Sequence, residues 1–371
     1  MSGLLGTYGY MLVFPLLGVF AYLCNQYHVK EKSVIKVMLC VYVVLFAMRG
    51  LKVGFDYYNY AVVFQYAKRL DSLTFFASTR YMEIGYLLLN KLVLLFTRDI
   101  RIFQALIAAV YSVCVYRFTV RFTDSPLMAF TIFYGLGSMF NLMNLTRSAL
   151  ACAICLEAFI QFERSKWKRG FLFVGLACLI HNSAILGVFG YILFRFQPKL
   201  SVKNMCLWML GTVGVTVGFY QLLHVLLRIL PRYQVYFTTE KADKMLQSGT
   251  LSYSIVFLVF FAFAYLCRGQ VYMRSTQAQI RVYNALLWLC LLGLTISIVS
   301  IRLSLVNRFM FIPLYSLGVL VTMALRGILR AKERLGYDLL VLTAVMGYCY
   351  IYLYMAENGL GRDGVVPYYF L

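Results

Sequence analysis

Long apolar runs recur along the whole chain, separated by short polar joints. The runs are continuous rather than alternating, so they predict membrane-crossing helices and not barrel strands. They fall at about 5–24, 34–48, 82–97, 102–118, 126–143, 144–161, 171–194, 204–227, 251–267, 282–300, 304–325 and 337–355. Gly135, Gly137, Asn141 and Asn144 interrupt the stretch 126–161 and predict broken helix there. The expected fold is all-α: a polytopic transmembrane helical bundle of about 10–12 segments, some short, broken or re-entrant, forming one integral membrane domain over 1–371.

Charge orients the segments. The joints 30–36, 164–169, 195–203, 268–281 and 326–334 are short and rich in Lys and Arg, which predicts a cytoplasmic position. The loops 49–80 and 229–250 and the tail 356–371 then lie on the outer face. The stretch 171–194 has basic flanks on both sides, which requires an even number of crossings. A hairpin of two short helices, tipped at His181-Asn182-Ser183, meets that requirement. From the outer loop to the joint at 164–169 the count must be odd, yet four candidate runs intervene. Either one run is re-entrant or 126–161 is a single broken crossing, and the second is preferred. Within the first outer loop, Tyr57, Tyr60, Phe64 and Leu70 share a face and Gln65, Lys68 and Arg69 lie on others, predicting an interfacial amphipathic helix.

Composition agrees with a membrane protein. The chain is 62% hydrophobic and 13% charged, against roughly 25% charged in soluble proteins. The net charge of +21 is ascribed mainly to topology and in part to an anionic substrate. The bases are scattered over short loops, so nucleic acid is not expected as a partner. The ten cysteines lie in or beside apolar runs, and Cys152 and Cys155 read as small helix residues. Residues 1–20 lack a basic leader region and are expected to be a retained span.

Candidate chemistry is concentrated at a few positions. The segment from Arg49 to Tyr60 groups Arg49, Lys52, Asp56, Tyr57, Tyr58, Asn59 and Tyr60, a set suited to phosphates and sugars. Ionisable groups in or beside spans are costly and are functional candidates by default. Glu83 opens a span, whereas Glu157 reads as structural. Arg147 is either a packing cation paired with Glu83 or backbone carbonyls, or a bidentate clamp on phosphate. Arg302 and Arg308 either snorkel or help neutralise a diphosphate. His181 is either a hydrogen-bonded packing residue or a general base. His28 and His224 receive no role. No nucleotide-binding or zinc-protease motif occurs, and no carboxylate cluster for two metals, so neither cofactor nor metal is expected.

The ordered set Gly54-Phe-Asp-Tyr-Tyr-Asn-Tyr60, Glu83-Ile-Gly-Tyr86, Asn144-Leu-Thr-Arg147-Ser-Ala-Leu-Ala151, His181-Asn-Ser-Ala184, Arg308 and Pro367-Tyr-Tyr-Phe370 resembles the EpsG family of Wzy-type bacterial exopolysaccharide, capsule and O-antigen polymerases. The chain departs from the family pattern in three places: Phe55 stands where Thr is usual, Ser148 where Gln is frequent, and the expected aromatic neighbours of Arg308 are only partly present. The resemblance implies a GT-C-like glycosyltransferase at the outer face of the bacterial plasma membrane. Donor and acceptor would be polyprenyl-diphosphate-linked oligosaccharides, with a flippase and a chain-length regulator as pathway partners. In that reaction Arg147, Arg308 and Arg49 would hold the diphosphate, and Arg302 stays a substrate-binding candidate from its position alone. His181, Glu83 or Asp56 would be the base, with the first two preferred. Tyr57, Tyr58, Tyr60, Tyr86 and Asn144 would contact substrate. A lipid-linked-glycan ligase and a flippase are the competing readings.

Overall fold

The computed structural model describes residues 7–27, 30–79, 82–219, 221, 228, 251–301, 304–328, 334–358, 365–366 and 368–369. The expected loop 229–250, Arg302, His28, His224, Pro367 and Phe370 lie outside the described residues.

Every regular element among the described residues is helical. The chain opens with α1 (Thr7–Met11), α2 (Val13–Tyr27) and α3 (Glu31–Met48). A layer of α4 (Tyr57–Arg69), α5 (Ser72–Ser78) and α6 (Ile84–Leu94) follows. Then come α7 (Ile100–Phe122), α8 (Pro126–Gly135), α9 (Ser138–Asn144), α10 (Thr146–Glu163), α11 (Trp167–Ile180), α12 (Val188–Phe196) and α13 (Val202–Val217). The last four are α14 (Leu251–Arg274), α15 (Gln277–Ser300), α16 (Phe311–Ile328) and α17 (Arg334–Glu357). Two 3-10 turns, Asn182–Gly187 and Ser304–Met310, lead into α12 and α16.

The chain is a multi-pass membrane protein: among the described residues five helices are long and apolar enough to cross a bilayer, or six with the bent pair α8–α9. The apolar stretches of α15 and α16 are 83% and 89% buried, against 22% and 28% for α14 and α17. The first two therefore form the centre and the others the perimeter. With α10 they make a core in which small residues permit close approach, as membrane packing demands. Gly318 of α16 lies so near Ala129 of α8 that a Cβ there would overlap the Ala129 carbonyl.

The joints expected in the cytoplasm gather at one end of the bundle. Arg121, Asp124, Glu163, Thr276 and Gln279 line a single open cleft there. Paired carboxylates bind α7 to α10 at this end. Arg117 Nε meets Glu157 Oε1 at 2.5 Å, and Arg121 Nη2 meets Glu163 Oε2 at 2.8 Å. Glu157 is thus structural, as expected. The Asp56 loop marks the opposite end.

The odd crossing count arises differently from the preferred expectation. α8 starts at the Arg121 end, where Ser125 Oγ accepts from Arg326 Nε at 2.5 Å. Gly137, at φ +76°, admits a 50° bend, and α9 then reaches the Asp56 end. The chain reverses at Leu145, and α10 returns alone to Glu163. Residues 126–161 are therefore not one broken crossing. The run that fails to cross is the first of the four. α6 has 11 residues, only about 16 Å of helix. Lys91 near its end donates to the carbonyls of Ala67 and Leu70 at 2.9 and 2.7 Å. These bonds tie it to the end of α4.

The hairpin expected at 171–194 is present as α11, a 3-10 turn and α12. Its arms, of 14 and 9 residues, are about 21 and 14 Å long, short of the roughly 30 Å hydrocarbon thickness. Gly187 and Gly190 let the arms press on Cys155 and Phe159 of α10.

Substituting Gly318→Val should force α8 and α16 apart and cost about 1–3 kcal/mol. A lowered unfolding temperature of the purified protein in detergent would show it, and an unchanged one would contradict the close contact.

Candidate active site

The Asp56 loop owes its position to a glycine. Gly54 has φ +91°, and a Cβ there would strike the Met143 carbonyl oxygen. Only glycine tolerates both conditions. The loop is thereby pressed on the end of α9, and the Asp56 N–H donates to Asn144 Oδ1 at 3.2 Å. Asp56 is the N-cap residue of α4, yet its carboxylate caps nothing. It has no ion pair among the described residues and is partly exposed.

The expected amphipathic helix is α4. Tyr57, Tyr60, Val63, Phe64 and Ala67 are buried, and Gln65, Lys68 and Arg69 are exposed. Of the tyrosines named for sugar contact, Tyr57 is 0% exposed and Tyr60 4%, whereas Tyr58 is 59% exposed. Tyr57 is instead a platform for Arg49. The Arg49 guanidinium lies 3.6 Å from the Phe46 ring centre and 4.1 Å from that of Tyr57. It donates to Phe46 O and Gln104 Oε1 at 3.3 and 3.2 Å. Arg49 is fully buried, so its charge is held by aromatic faces and neutral acceptors. The tail is anchored alongside. The Gly50 N–H donates to Tyr369 O at 2.6 Å, and the Tyr368 hydroxyl to Leu45 O at 2.5 Å.

One turn deeper, Arg147 and Glu83 form the pairing that was one of the two sequence readings. Arg147 Nη1 meets Glu83 Oε2 at 2.5 Å, with both side chains largely buried. The guanidinium lies 5.8 Å from the ring centres of both Tyr60 and Tyr86. Arg147 occupies the first turn of α10, where the helix dipole is positive and no side chain caps the free N–H groups. A cation there is unfavourable alone, so Glu83 compensates both charges. Glu83 also accepts, through Oε1, from the Asn182 N–H at 3.3 Å. One carboxylate thus joins α6, α10 and the hairpin tip. Gly85 permits this: its Cβ position is 2.6 Å from Leu179 O of α11.

The tip carries His181. Its Nδ1 accepts the Ser183 N–H at 3.1 Å and lies 2.9 Å from Ser183 Oγ. Ser183 Oγ is 3.2 Å from Ser148 Oγ, which donates to the Arg308 carbonyl at 3.3 Å. Arg308 is partly exposed, pairs with no carboxylate among the described residues, and acts electrostatically on Tyr60 and His181.

The structure therefore assembles Asp56, Tyr60, Glu83, Tyr86, Asn144, Arg147, His181 and Arg308 at one end of the bundle. Arg49 and Tyr57 are sealed beneath this group. Sequence reasoning missed Gly54, Gly85 and Ser183 as positioning residues and noticed Ser148 only as a departure. A positive-φ glycine ahead of Asp56 was the one readable signal. Away from the site, Asp99 and Asp71 cap α7 and α5. Hydrogen bonds from Arg101 and Thr74 respectively hold their carboxyls below the usual range.

The EpsG family model matches residues 9–370. No curated protein and no solved structure matches the chain.

Removing Glu83 should strand the Arg147 cation. Glu83→Ala is expected to cost about 3 kcal/mol, and Glu83→Ala with Arg147→Met should recover much of that loss. A double-mutant cycle on unfolding of the purified protein measures the coupling, and additive effects would deny it.

Proposed function

The chain belongs to the EpsG family, and on that premise we propose that it is a polysaccharide polymerase of the plasma membrane. It joins oligosaccharide repeat units carried on polyprenyl diphosphate, at the outer face. The carrying observation is the meeting of Arg147, Arg308 and the uncapped N-terminus of α10 beside Asp56, whose carboxylate has no ion pair among the described residues. Helix N-terminal N–H groups and arginine forks are suited to phosphate oxygens.

In this reading an acceptor sugar hydroxyl attacks the anomeric carbon of the donor. The new glycosidic C–O bond forms as the anomeric C–O bond to diphosphate breaks, and the diphosphate leaves with the bonding pair. Arg147 and Arg308 stabilise the charge on the leaving oxygens. The acceptor proton goes to a carboxylate. Asp56 is favoured over Glu83, because Glu83 is engaged with Arg147 and Asn182. Asp56 is favoured over His181, because the Nδ1 lone pair of His181 is taken by Ser183. Tyr58 and Phe55, both exposed beside Asp56, are suited to stacking on sugar rings. Arg49, Tyr57, Tyr60 and Tyr86 support the site from below, and Asn144 holds the Asp56 backbone. Basic joints at the Arg121 end support an outward-facing site. A flippase and a chain-length regulator are the natural pathway partners.

Purified protein in liposomes should convert defined lipid-linked repeat units into polymer and free polyprenyl diphosphate. Asp56→Asn should cut the rate at least 100-fold with unchanged thermal stability. Transfer of units across the bilayer with no new glycosidic bond would refute the polymerase reading. An undiminished Asp56→Asn rate would refute the assignment of the base.

A further inference from the structure

We infer that His181 acts as a fixed neutral hydrogen-bond donor to the departing diphosphate, rather than as a base, with Ser183 as the residue that holds it so. The inference rests on the polymerase reading for the identity of the anion, while the tautomer itself rests on geometry alone.

A backbone N–H can donate only to an unprotonated ring nitrogen. The Ser183 N–H donates to His181 Nδ1 at 3.1 Å, so the proton of the neutral ring sits on Nε2. This bond is part of the fold: His181 is the N-cap of the 3-10 turn Asn182–Gly187, and its side chain is the cap. Protonating Nδ1 would break the cap and put two N–H dipoles head to head. The Ser183 hydroxyl, 2.9 Å away, finds an acceptor in the same Nδ1 lone pair. Ser148 gives its one proton to the Arg308 carbonyl at 3.3 Å, and its oxygen lies 3.2 Å from Ser183 Oγ, so the turn packs against the Arg308 backbone across two buried hydroxyls.

Among the described residues, the charged groups that act electrostatically on the ring are both cations, Arg147 from α10 and Arg308 from the turn before α16. Among the described residues no carboxylate pairs with the ring; Glu83 engages the neighbouring Asn182 N–H and Arg147. A base working between two arginines would have to become the third cation. A neutral Nε2–H adds a third donor toward an anion without that penalty. His181 then neither gains nor loses a proton in the reaction, and the acceptor proton travels to Asp56 as above.

Two substitutions separate the roles. His181→Asn keeps an acceptor where Nδ1 caps the turn but lacks the far donor. His181→Gln places an amide N–H near the Nε2 position but lacks the cap. A donor role predicts that the Asn variant loses roughly 100-fold in polymerisation rate while the Gln variant stays within about tenfold of wild type. A base role predicts that both are inactive. A packing role predicts that the Asn variant is active and the Gln variant less stable. Either of the last two patterns overturns the inference. Nitrogen-15 NMR of histidine-labelled protein in bilayers gives a readout independent of activity. An unprotonated Nδ1 and protonated Nε2 at His181, unchanged from about pH 8 to 5, supports it; a protonated Nδ1 overturns it. If wild-type protein makes no polymer, the polymerase reading fails, and the NMR result still decides the state of His181.

Discussion

The ion pair between Arg147 and Glu83 is the constraint around which the site is built. It places a cation at the positive end of α10, which the helix dipole disfavours, inside a largely apolar bundle. A carboxylate brought from another element offsets both charges. Glu83 supplies it, and with its second oxygen takes the Asn182 N–H. α6, α10 and the hairpin tip are thereby locked together by one residue. On the proposed reading, a phosphate would compete with Glu83 for the same guanidinium.

Backbone proximity does the remaining positioning. Gly54 lets the Asp56 loop rest on the end of α9, and Gly85 lets α6 lie on α11. The hairpin arms are too short to cross, so its tip stops inside the bundle, level with the first turn of α10. Beneath the site, Arg49 is clamped between Phe46 and Tyr57 and braced by the returning tail at Tyr368 and Tyr369. Asp56 and its neighbours thus lie over a floor of buried aromatic rings.

Much of this was legible in the sequence for identifiable reasons. Basic flanks around 171–194 forced an even crossing count and so exposed the hairpin. The lone acids near spans pointed to Glu83 and Asp56, and the cost of a buried cation raised the pairing of Arg147 with Glu83. The crossing count over 126–161 was misjudged because the break at Gly137 and the reversal at Leu145 produce similar local sequence. Only tertiary contacts distinguish a bend from a turn. The burial of Tyr57 and Tyr60 was hidden because it depends on arginines distant in sequence. Ser183 carried no signal, since a serine beside a histidine acquires meaning only from the turn that joins them.

The most direct test of the account is a cryo-electron microscopy structure of the protein in a lipid nanodisc with a sugar-free polyprenyl diphosphate. The account predicts phosphate density at the N-terminus of α10, within hydrogen-bonding reach of Arg147 and Arg308, with Asp56 facing the space where the sugar would follow. Phosphate density at the Arg121 end of the bundle, or a ligand bound away from Arg147 and Arg308, would contradict it.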